Sequence, residues 1–409
     1  AEEFERAYPA QYISEAIDQT RGWFYSLMAV GTAVFGRSSY ENVVCLGHIL
    51  AEDGRKMSKH LGNILQPMPL MAEHGADVLR WFMLCSGSPW AARRIGHTTI
   101  EEAARKTLVT YWHTASFFTL YAATASWGAG AEPVGTPERE DRPLLDRWLL
   151  AELRATVTQV SSALESFDTA GAGRVLSQFI DDLSNWYVRR SRSRFWAAEP
   201  SCLATLAECL NVLTRLLAPF VPFVTERVWQ AVARPVDAQA PESVHLASWP
   251  TADEYVPRAG DEQLRAQMRL VRHVVEAGRA ARTASKLRTR QPLARAMVAG
   301  GGWEELPEDL RAHVIDELNV VALAPLSDAG DLVDVNLKPN FRELGRRFGS
   351  RTQHVARAIG ATDAAAAAAA LRESGELLLT VDGEPVTVTP AEVIVTETPR
   401  TGWAVVSEH

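Results

Sequence analysis

The sequence predicts an α/β half-domain at its start, an all-α helix bundle in its middle and a small α+β region at its C-terminal end. Three observations make that division. Up to about residue 96, short β-branched apolar runs alternate with helix-like stretches, as in a parallel sheet covered by helices. From about 97 to 232, apolar residues recur every three or four positions over long segments, the pattern of packed amphipathic helices, and after a less clear stretch Leu264 to Val275 adds one more apolar helix face. Beyond Gln291 short strand-like pieces return. At 409 residues the chain exceeds what one hydrophobic core usually supports, and two to four domains are expected. The boundaries read as 1–96, 97–143, 144–290 and 291–409.

In order, Gln11 to Ser14 is a short extended piece after Pro9. A helix-like run follows from Asp18, with Phe24, Leu27, Met28 and Val34 on one side and Asp18 as its N-cap. Asn42 to Leu50 (NVVCLGHIL) has the pattern of a buried strand. Pro67 and Pro69 lead into further helix, including Ala76 to Cys85. Ser126 to Pro143, rich in Gly, Pro, Ala and acid, reads as a connecting loop. Leu145, Leu149, Leu153, Val157, Val160, Leu164 and Phe167 mark one long helix, and Leu203, Leu206, Leu210, Leu213 and Leu217 another. Leu264, Met268, Val271 and Val275 give a further apolar helix face. Ala296–Ala299, Leu377–Val381, Val386–Val388 and Val393–Val395 are strand-like, and the run Ala364 to Ala370 reads as helix surface.

Composition narrows the function classes. A 47% hydrophobic fraction supports real cores. A net charge of -8 argues against a wholly basic nucleic-acid binder while leaving room for local basic faces. Cys45, Cys85, Cys202 and Cys209 lie in apolar surroundings without C-x-x-C spacing. They read as core thiols in a reducing, cytoplasmic setting, and no zinc site is supported. There is no signal peptide and no apolar run long enough to cross a membrane. The chain begins at Ala1 rather than Met, so a piece of a longer protein is expected.

The stretch with the most chemistry is Lys56-Met57-Ser58-Lys59-His60. Of 42 Lys+Arg only five are Lys, and two of them stand here, beside Arg55. Lys meets phosphate as a mobile point charge, Arg as a rigid fork. Gly54 and Gly62 flank the run, and it directly follows a strand-like segment, at the strand end where open α/β sheets bind ligands. It reads as a flexible clamp on a triphosphate or as a solvated basic turn. Glu15 to Phe24 spans a strand-to-helix junction. There Glu15 and Asp18 read as holding an ammonium and ribose hydroxyls, or Asp18 as a plain N-cap with Trp23-Phe24 as core.

These pieces fall in a specific order. Asp18-Gln19 with Arg21-Gly22-Trp23-Phe24 comes first, then Gly54-Arg55-Lys56-Met57-Ser58-Lys59, then Gly75-Ala76-Asp77-Val78-Leu79-Arg80. Leu183 to Tyr187, Ala218 to Phe223, Lys286 to Leu293 and Asn336 to Phe341 follow. The series resembles the isoleucyl-tRNA synthetases among the class I aminoacyl-tRNA synthetases, from the second half of the catalytic Rossmann fold onward. The likeness covers nearly the whole chain. The residues at Asp18–Phe24 argue against the valyl and leucyl relatives.

The resemblance implies activation of isoleucine with ATP, as its Mg2+ complex, to isoleucyl-adenylate, then transfer to isoleucine tRNA. By the motif, Lys59 is the first catalytic lysine and Lys56 the second, with Ser58 bonding phosphate or shaping the loop and Met57 anchoring it on apolar surface. Glu15 matches the position that contacts the aminoacyl-adenylate, with Asp18 and Gln19 beside it. Gly47 and His48 stand where the family's adenine packs, and His48 reads as packing. His60 replaces the Ser that often ends the motif. Arg94-Ile95-Gly96-His97 resembles the family's H-x-G-H element but lacks its first His and follows the lysine loop, so it reads as structural. The other half-site is expected from an N-terminal half of the same polypeptide, and this chain alone is expected to be inactive.

On the RNA side, Arg189, Arg190, Arg192 and Arg194 stand among Trp186, Tyr187, Phe195 and Trp196. Basic groups with aromatics suit phosphate neutralisation and base stacking. Between Asp261 and Arg295 nine Lys/Arg face three acids, with Arg265, Arg269, Arg272 and Arg279 on one helical face. Lys338 to Arg357 adds six basic residues and one acid. These groups read as tRNA contacts within an anticodon-binding bundle, or as solvated surface with internal ion pairs. The alternative from another class is a non-catalytic RNA-binding protein that kept the fold.

Overall fold

In the computed structural model, residues 2–125, 127, 135–237, 239–251, 254–255, 257–299, 302–326 and 333–399 are described. Two compact units divide the chain, Ala1–Arg265 and Ala266–His409.

In the first unit α1 (Glu2–Ala7) leads into β1 (Ala10–Ala16). A 3-10 turn over Ile17–Arg21 precedes α2 (Trp23–Phe35). Then come β2 (Tyr40–Leu46), β3 (Ile49–Ala51), α3 (Pro67–His74), α4 (Ala76–Cys85), β4 (Arg93–Ile95) and α5 (His97–Ala103). β1 pairs with β2 in parallel, Ala10 opposite Tyr40 through Ala16 opposite Leu46. β3 pairs with β4 in parallel, Ile49 opposite Arg93 through Ala51 opposite Ile95.

The expected strand Asn42–Leu50 is therefore two strands, broken at Gly47–His48, and Val43, Leu46 and Ile49 are exposed rather than buried. Among the described residues each ribbon has two strands, with Ile13 buried in the first and Ala51 and Ile95 in the second. The helix after β1 begins at Trp23, not Asp18, and of its residues only Phe24 and Gly31 are buried; Met28 and Val34 are exposed.

The rest of this unit is helical: α6 (Thr110–Thr124), α7 (Leu144–Glu165), α8 (Thr169–Asp181), α9 (Arg192–Trp196), α10 (Pro200–Leu217) and α11 (Pro222–Val232). Two π-helical turns, Ala104–Val109 and Asp182–Val188, interrupt it. Of the loop expected over 126–143, residues 126 and 128–134 lie outside the described residues. Leu203, Leu206, Leu210, Leu213 and Leu217 of α10 are all fully buried, as their spacing requires. Pro200 opens that helix, where its missing N–H has no cost. Phe167 does not extend α7. It turns out at φ 58 and stacks on Tyr12 of β1, ring centroids 4.9 Å apart.

One turn of α4 docks on the junction between α10 and α11. Asp77 Oδ2 accepts from Val224 N at 2.6 Å and Oδ1 from Phe223 N at 3.3 Å. Arg80 donates to Phe220 O at 3.0 Å and Pro219 O at 2.8 Å. Trp81 meets Phe220 edge-on at 5.9 Å.

The bundle also buries a carboxylate. Asp146 on α7 is fully enclosed and receives Arg194 Nη1 at 2.6 Å, Arg194 Nη2 at 2.7 Å, Tyr187 OH at 2.9 Å and Ser201 Oγ at 2.6 Å. All its acceptor positions are used, which makes a buried charge tolerable. Burial, followed by the Asp146 charge, pushes the Tyr187 phenol well above its ordinary range, so it serves as a fixed donor.

α12 (Asp261–Ala284) crosses the division between the units. Its start is fixed within the first unit, where Asp261 accepts from Arg154 on α7 at 2.8 and 2.9 Å. In the second unit β5 (Leu293–Val298) and β6 (Val320–Pro325) pair in parallel around α13 (Glu308–Leu318). β7 (Val333–Pro339), α14 (Phe341–Phe348), α15 (Thr352–Ala361), α16 (Ala364–Glu373), β8 (Leu377–Val381), β9 (Glu384–Val388) and β10 (Val393–Pro399) follow. β7 pairs with β10 and β8 with β9, both antiparallel. Leu344, Val355, Ile359, Leu371, Leu379, Val388 and Val393 form their shared core. The alanine run is helix but not all surface, since Ala367 and Ala368 are buried.

Asp146→Ala strands Arg194, Tyr187 and Ser201 in the core. It is expected to lower stability by about 3–5 kcal/mol, read as a lower urea midpoint of the first unit. Asp261 gives a pH test. Burial raises its carboxyl, but the Arg154 hydrogen bond and charge outweigh burial and hold it below its ordinary 3.8. A depressed folded-state value contributes stability above that ordinary value, and the contribution is lost as pH falls through the lower folded value. The melting gap between wild type and Asp261→Asn is expected to be constant above pH 5 (about one unit above the ordinary value) and to narrow below 3.8. A gap unchanged down to acid unfolding would remove the ion pair from the account.

Candidate functional site

Parallel pairing sets the carboxyl ends of β1 and β2 side by side, Glu15 opposite Cys45 and Ala16 opposite Leu46. Glu15 is exposed, and its Oε2 accepts from Ala16 N at 3.0 Å. Asp18 is exposed in the turn that follows and caps no helix. Its neighbour takes that part: Gln19 Oε1 accepts from Trp23 N at 2.9 Å, while Gln19 Nε2 donates to Asp18 Oδ2 at 3.2 Å. Glu15 and Asp18 thus offer two carboxylates at one strand end.

Gly47 stands where β2 gives way to β3, and its N–H donates to Pro89 O at 2.9 Å. A Cβ there would lie 2.5 Å from Ala91 O and 2.7 Å from Trp90 O, so only glycine fits. The His48 carbonyl accepts from Arg93 N at 2.9 Å, but its side chain is exposed rather than packed.

The lysine loop grows from β3. Ala51 N donates to Arg55 O at 2.9 Å and Gly54 N to Ala51 O at 2.8 Å, a tight turn that Gly54 closes at φ 82. Asp53 receives Arg55 N at 2.9 Å and Arg55 Nε at 2.7 Å. Those bonds, the backbone one first, lower the Asp53 carboxyl. The Arg55 charge is therefore already matched, and Lys56 beside it stays exposed. Lys59 opens the short 3-10 turn Lys59–Leu61, and its side chain lies outside the described residues. Ser58 shapes this turn, its Oγ accepting from Leu61 N at 3.2 Å. Met57 packs against the core of Leu70, Phe82, Ile95 and Ile100.

Asn63, which the sequence reading passed over, straps the loop. Its Oδ1 accepts from Ser58 N at 2.9 Å and its Nδ2 donates to Lys56 O at 3.3 Å. An Asn next to a glycine was its one signal. Arg94 and Ile95 belong to β4, Gly96 precedes α5, and His97 is the first residue of α5.

The arginines divide sharply. Arg194 is 19% exposed, held by Asp146 and by Glu199 at 2.6 and 2.9 Å. Burial works against its charge, but those bonds outweigh it and raise its pKa. Arg194 is thus a structural pair, not a surface cation. Arg265 is 18% exposed and engages Glu152 at 3.0 Å and Glu262 at 2.8 Å. Arg279 pairs with Glu317. Arg190 lies 3.5 Å over the Trp186 ring, and Arg189 Nε donates to Asn185 O at 3.0 Å. Arg189, Arg192 and Arg269 are exposed, and Arg190 and Arg272 half-buried. Of the four aromatics, Trp186, Tyr187 and Phe195 are core and Trp196 alone is exposed. Lys286, Arg288, Arg290 and Arg295, which the helical-face argument left aside, are all exposed. Burial pushes the Cys85 and Cys202 thiols up to about 12 and Cys209 well above its ordinary value, so none of the three is a nucleophile.

Two family models match this chain: class I tRNA synthetases (I, L, M and V) over residues 1–95, and the anticodon-binding domain of tRNA ligase over 146–298. The isoleucine–tRNA ligase of Streptomyces avermitilis is 62% identical over 406 residues, 99% of this chain and 38% of that protein. That of Thermus thermophilus is 42% identical over 404 residues, 96% of this chain and 38% of that protein. A solved ternary complex of Agrobacterium radiobacter K84 agnB2 LeuRS with tRNA and LeuAMS is 18% identical, covering 63% of this chain and 29% of that one with a TM-score of 0.48. The chain spans 38% of the length of the two curated relatives. With class I tRNA synthetase and anticodon-binding segments in this order and 62% identity over nearly its whole length, the chain belongs, as a portion, to the isoleucine–tRNA ligases of the class I aminoacyl-tRNA synthetases.

Proposed function

We propose that this chain serves ATP-dependent activation of isoleucine to isoleucyl-adenylate and its transfer to isoleucine tRNA. The observation that carries the reading is the lysine loop at the carboxyl end of β3, with Arg55 neutralised by Asp53 and Lys56 exposed. Adenylate formation builds charge on the α-phosphorus and on departing pyrophosphate. Cations that close on that charge mainly in the transition state accelerate the step. Lys59 is the principal clamp and Lys56 the second, while Ser58 shapes the turn that presents them. Glu15, Asp18 and Gln19 receive the aminoacyl-adenylate at the end of β1, and Gly47 and His48 border its adenine. ATP arrives as its Mg2+ complex.

In this reading residues 1–96 are the second half of a Rossmann-type catalytic domain and 97–143 connect it to an anticodon-binding helical bundle over 144–290. Residues 291–409 form an α+β appendage. The remaining catalytic groups come from the rest of the longer polypeptide that the relatives have, so this chain alone does not activate isoleucine. For tRNA, the exposed Arg189 and Arg192 of the first unit contact phosphate together with Arg190, and in the second unit the exposed Arg269, Lys286, Arg288, Arg290 and Arg295 do so together with Arg272.

The test is amino-acid-dependent ATP–pyrophosphate exchange by the full-length protein, comparing isoleucine, valine and leucine. Isoleucine preference is expected, with Lys59→Ala lowering exchange by about 100- to 1,000-fold. A folded protein that exchanges with no amino acid would leave tRNA binding as its role. Separately, Asn63→Ala frees the loop backbone at Lys56 and Ser58. Native-state cleavage by a lysine-specific protease at Lys56 and Lys59 is expected to speed up without a change in melting temperature. An unchanged cleavage rate would mean that Asn63 does not hold the loop.

A further inference from the structure

No cysteine spacing supports a metal site, yet the fold gathers three other ligating groups that the proposed reaction does not use. Glu73 and His74 are the last two residues of α3, and His97 is the first of α5. His74 Nε2 lies 2.9 Å from His97 Nδ1. Glu73 Oε1 lies 3.3 Å from His97 Nδ1 and 3.8 Å from His74 Nε2. Zinc bonds of about 2.0–2.1 Å in a tetrahedron hold ligand atoms about 3.3–3.4 Å apart. The three separations bracket that edge, so one ion fits with shifts of a few tenths of an ångström.

The frame beneath the trio is packed. Leu70 of α3, Phe82 of α4, Ile95 of β4 and Ile100 of α5 are all buried together, which fixes the ends of α3 and α5 facing each other. The His74 side chain is 8% exposed and so anchored from within, while Glu73 at 58% and His97 at 48% open the trio to solvent. That arrangement gives an entry path and leaves a fourth position for water. Both α3 ligands sit in its last turn, where the helix dipole favours a cation.

We propose that Glu73, His74 and His97 form a site for a divalent zinc-class cation, with Nε2 of His74, Nδ1 of His97 and a Glu73 carboxylate oxygen as ligands. Imidazole and carboxylate suit Zn2+, and tetrahedral separations favour it over octahedral Mg2+. Each ring must present an unprotonated nitrogen, so the ring that donates in the His74–His97 hydrogen bond moves its proton to its other nitrogen. The ion then ties α3 to α5, on the same core that seats Met57 of the lysine loop.

The test uses the 409-residue chain stripped with chelator and titrated with Zn2+, and with Co2+ as a spectroscopic probe. Wild type is expected to bind one Zn2+ per chain and to give the intense visible absorption of four-coordinate Co2+. His97→Ala is expected to weaken Zn2+ binding about 100-fold or more, since even outer partners of metal ligands are worth about 10–100-fold. Glu73→Gln, at an exposed position, is expected to weaken it while leaving the melting temperature of the apo chain unchanged, which guards against a misfolded His97 variant. His354→Ala, remote in sequence and paired with Asp382, is expected to bind as wild type does. Absence of stoichiometric binding, or equal binding by Glu73→Gln and wild type, would overturn the proposal.

Discussion

The first unit turns on the grip of Asp77 and Arg80 around the α10–α11 junction. A helix start leaves N–H groups without partners and a helix end leaves carbonyls. Pro222 removes one of those N–H groups, and Asp77 takes the next two, at Phe223 and Val224. Arg80, one turn along the same helix, takes the carbonyls of Pro219 and Phe220. One turn of α4 therefore completes two helix termini at once. The same helix turns Trp81 toward Phe220 and Phe82 into the core that carries Met57. The lysine loop and the bundle share α4 as a common wall, and a shift of that helix would be felt at both.

Cations are distributed by what they meet, not by where they cluster in sequence. Within the 189–194 group, Arg194 is drawn into the core by the enclosed Asp146, a partner 48 positions upstream. On α12, Arg265 meets Glu152 and Arg282 is buried against the carbonyls of Arg288 and Leu318. Asp146, Glu152 and Leu318 are remote in sequence from the arginines they hold, so counting local charge overstates the surface available to phosphate. Besides Arg189, Arg192 and Arg269, the cations just past α12 stay exposed, Lys286, Arg288, Arg290 and Arg295, where the backbone leaves the helix through a positive φ at Lys286.

The long helices were legible because each residue's burial depends on its own helix face: the leucines of α10 announce it at spacings of three and four. The strands were legible as apolar runs but not in their breaks. The split at Gly47–His48 is set by the backbone of Trp90 and Ala91, more than forty positions away. β6 carries no readable alternation, whereas β7 does, with Val333, Val335 and Leu337 alternating with Asp334, Asn336 and Lys338. A carboxylate before an apolar run marks Asp18 as a cap in the sequence. The fold interposes a 3-10 turn and gives the bond to Gln19. His74 and His97 looked unrelated, since only the packing of Leu70 against Ile95 and Ile100 brings the ends of their helices together.

The loop motif was the most legible feature of the site, and the structure supplies a physical reason for its composition. Asp53 matches Arg55 inside the turn, so the charge that a rigid fork would carry is spent locally. The backbone from Lys56 to Ser58 is fixed by Asn63, and Met57 is seated in the core. What is left to move at Lys56 is its flexible, exposed stem. In the proposed role, a fixed backbone with mobile point charges would follow a phosphate whose geometry changes along the reaction; an arginine fork in the same place would favour one geometry over the others.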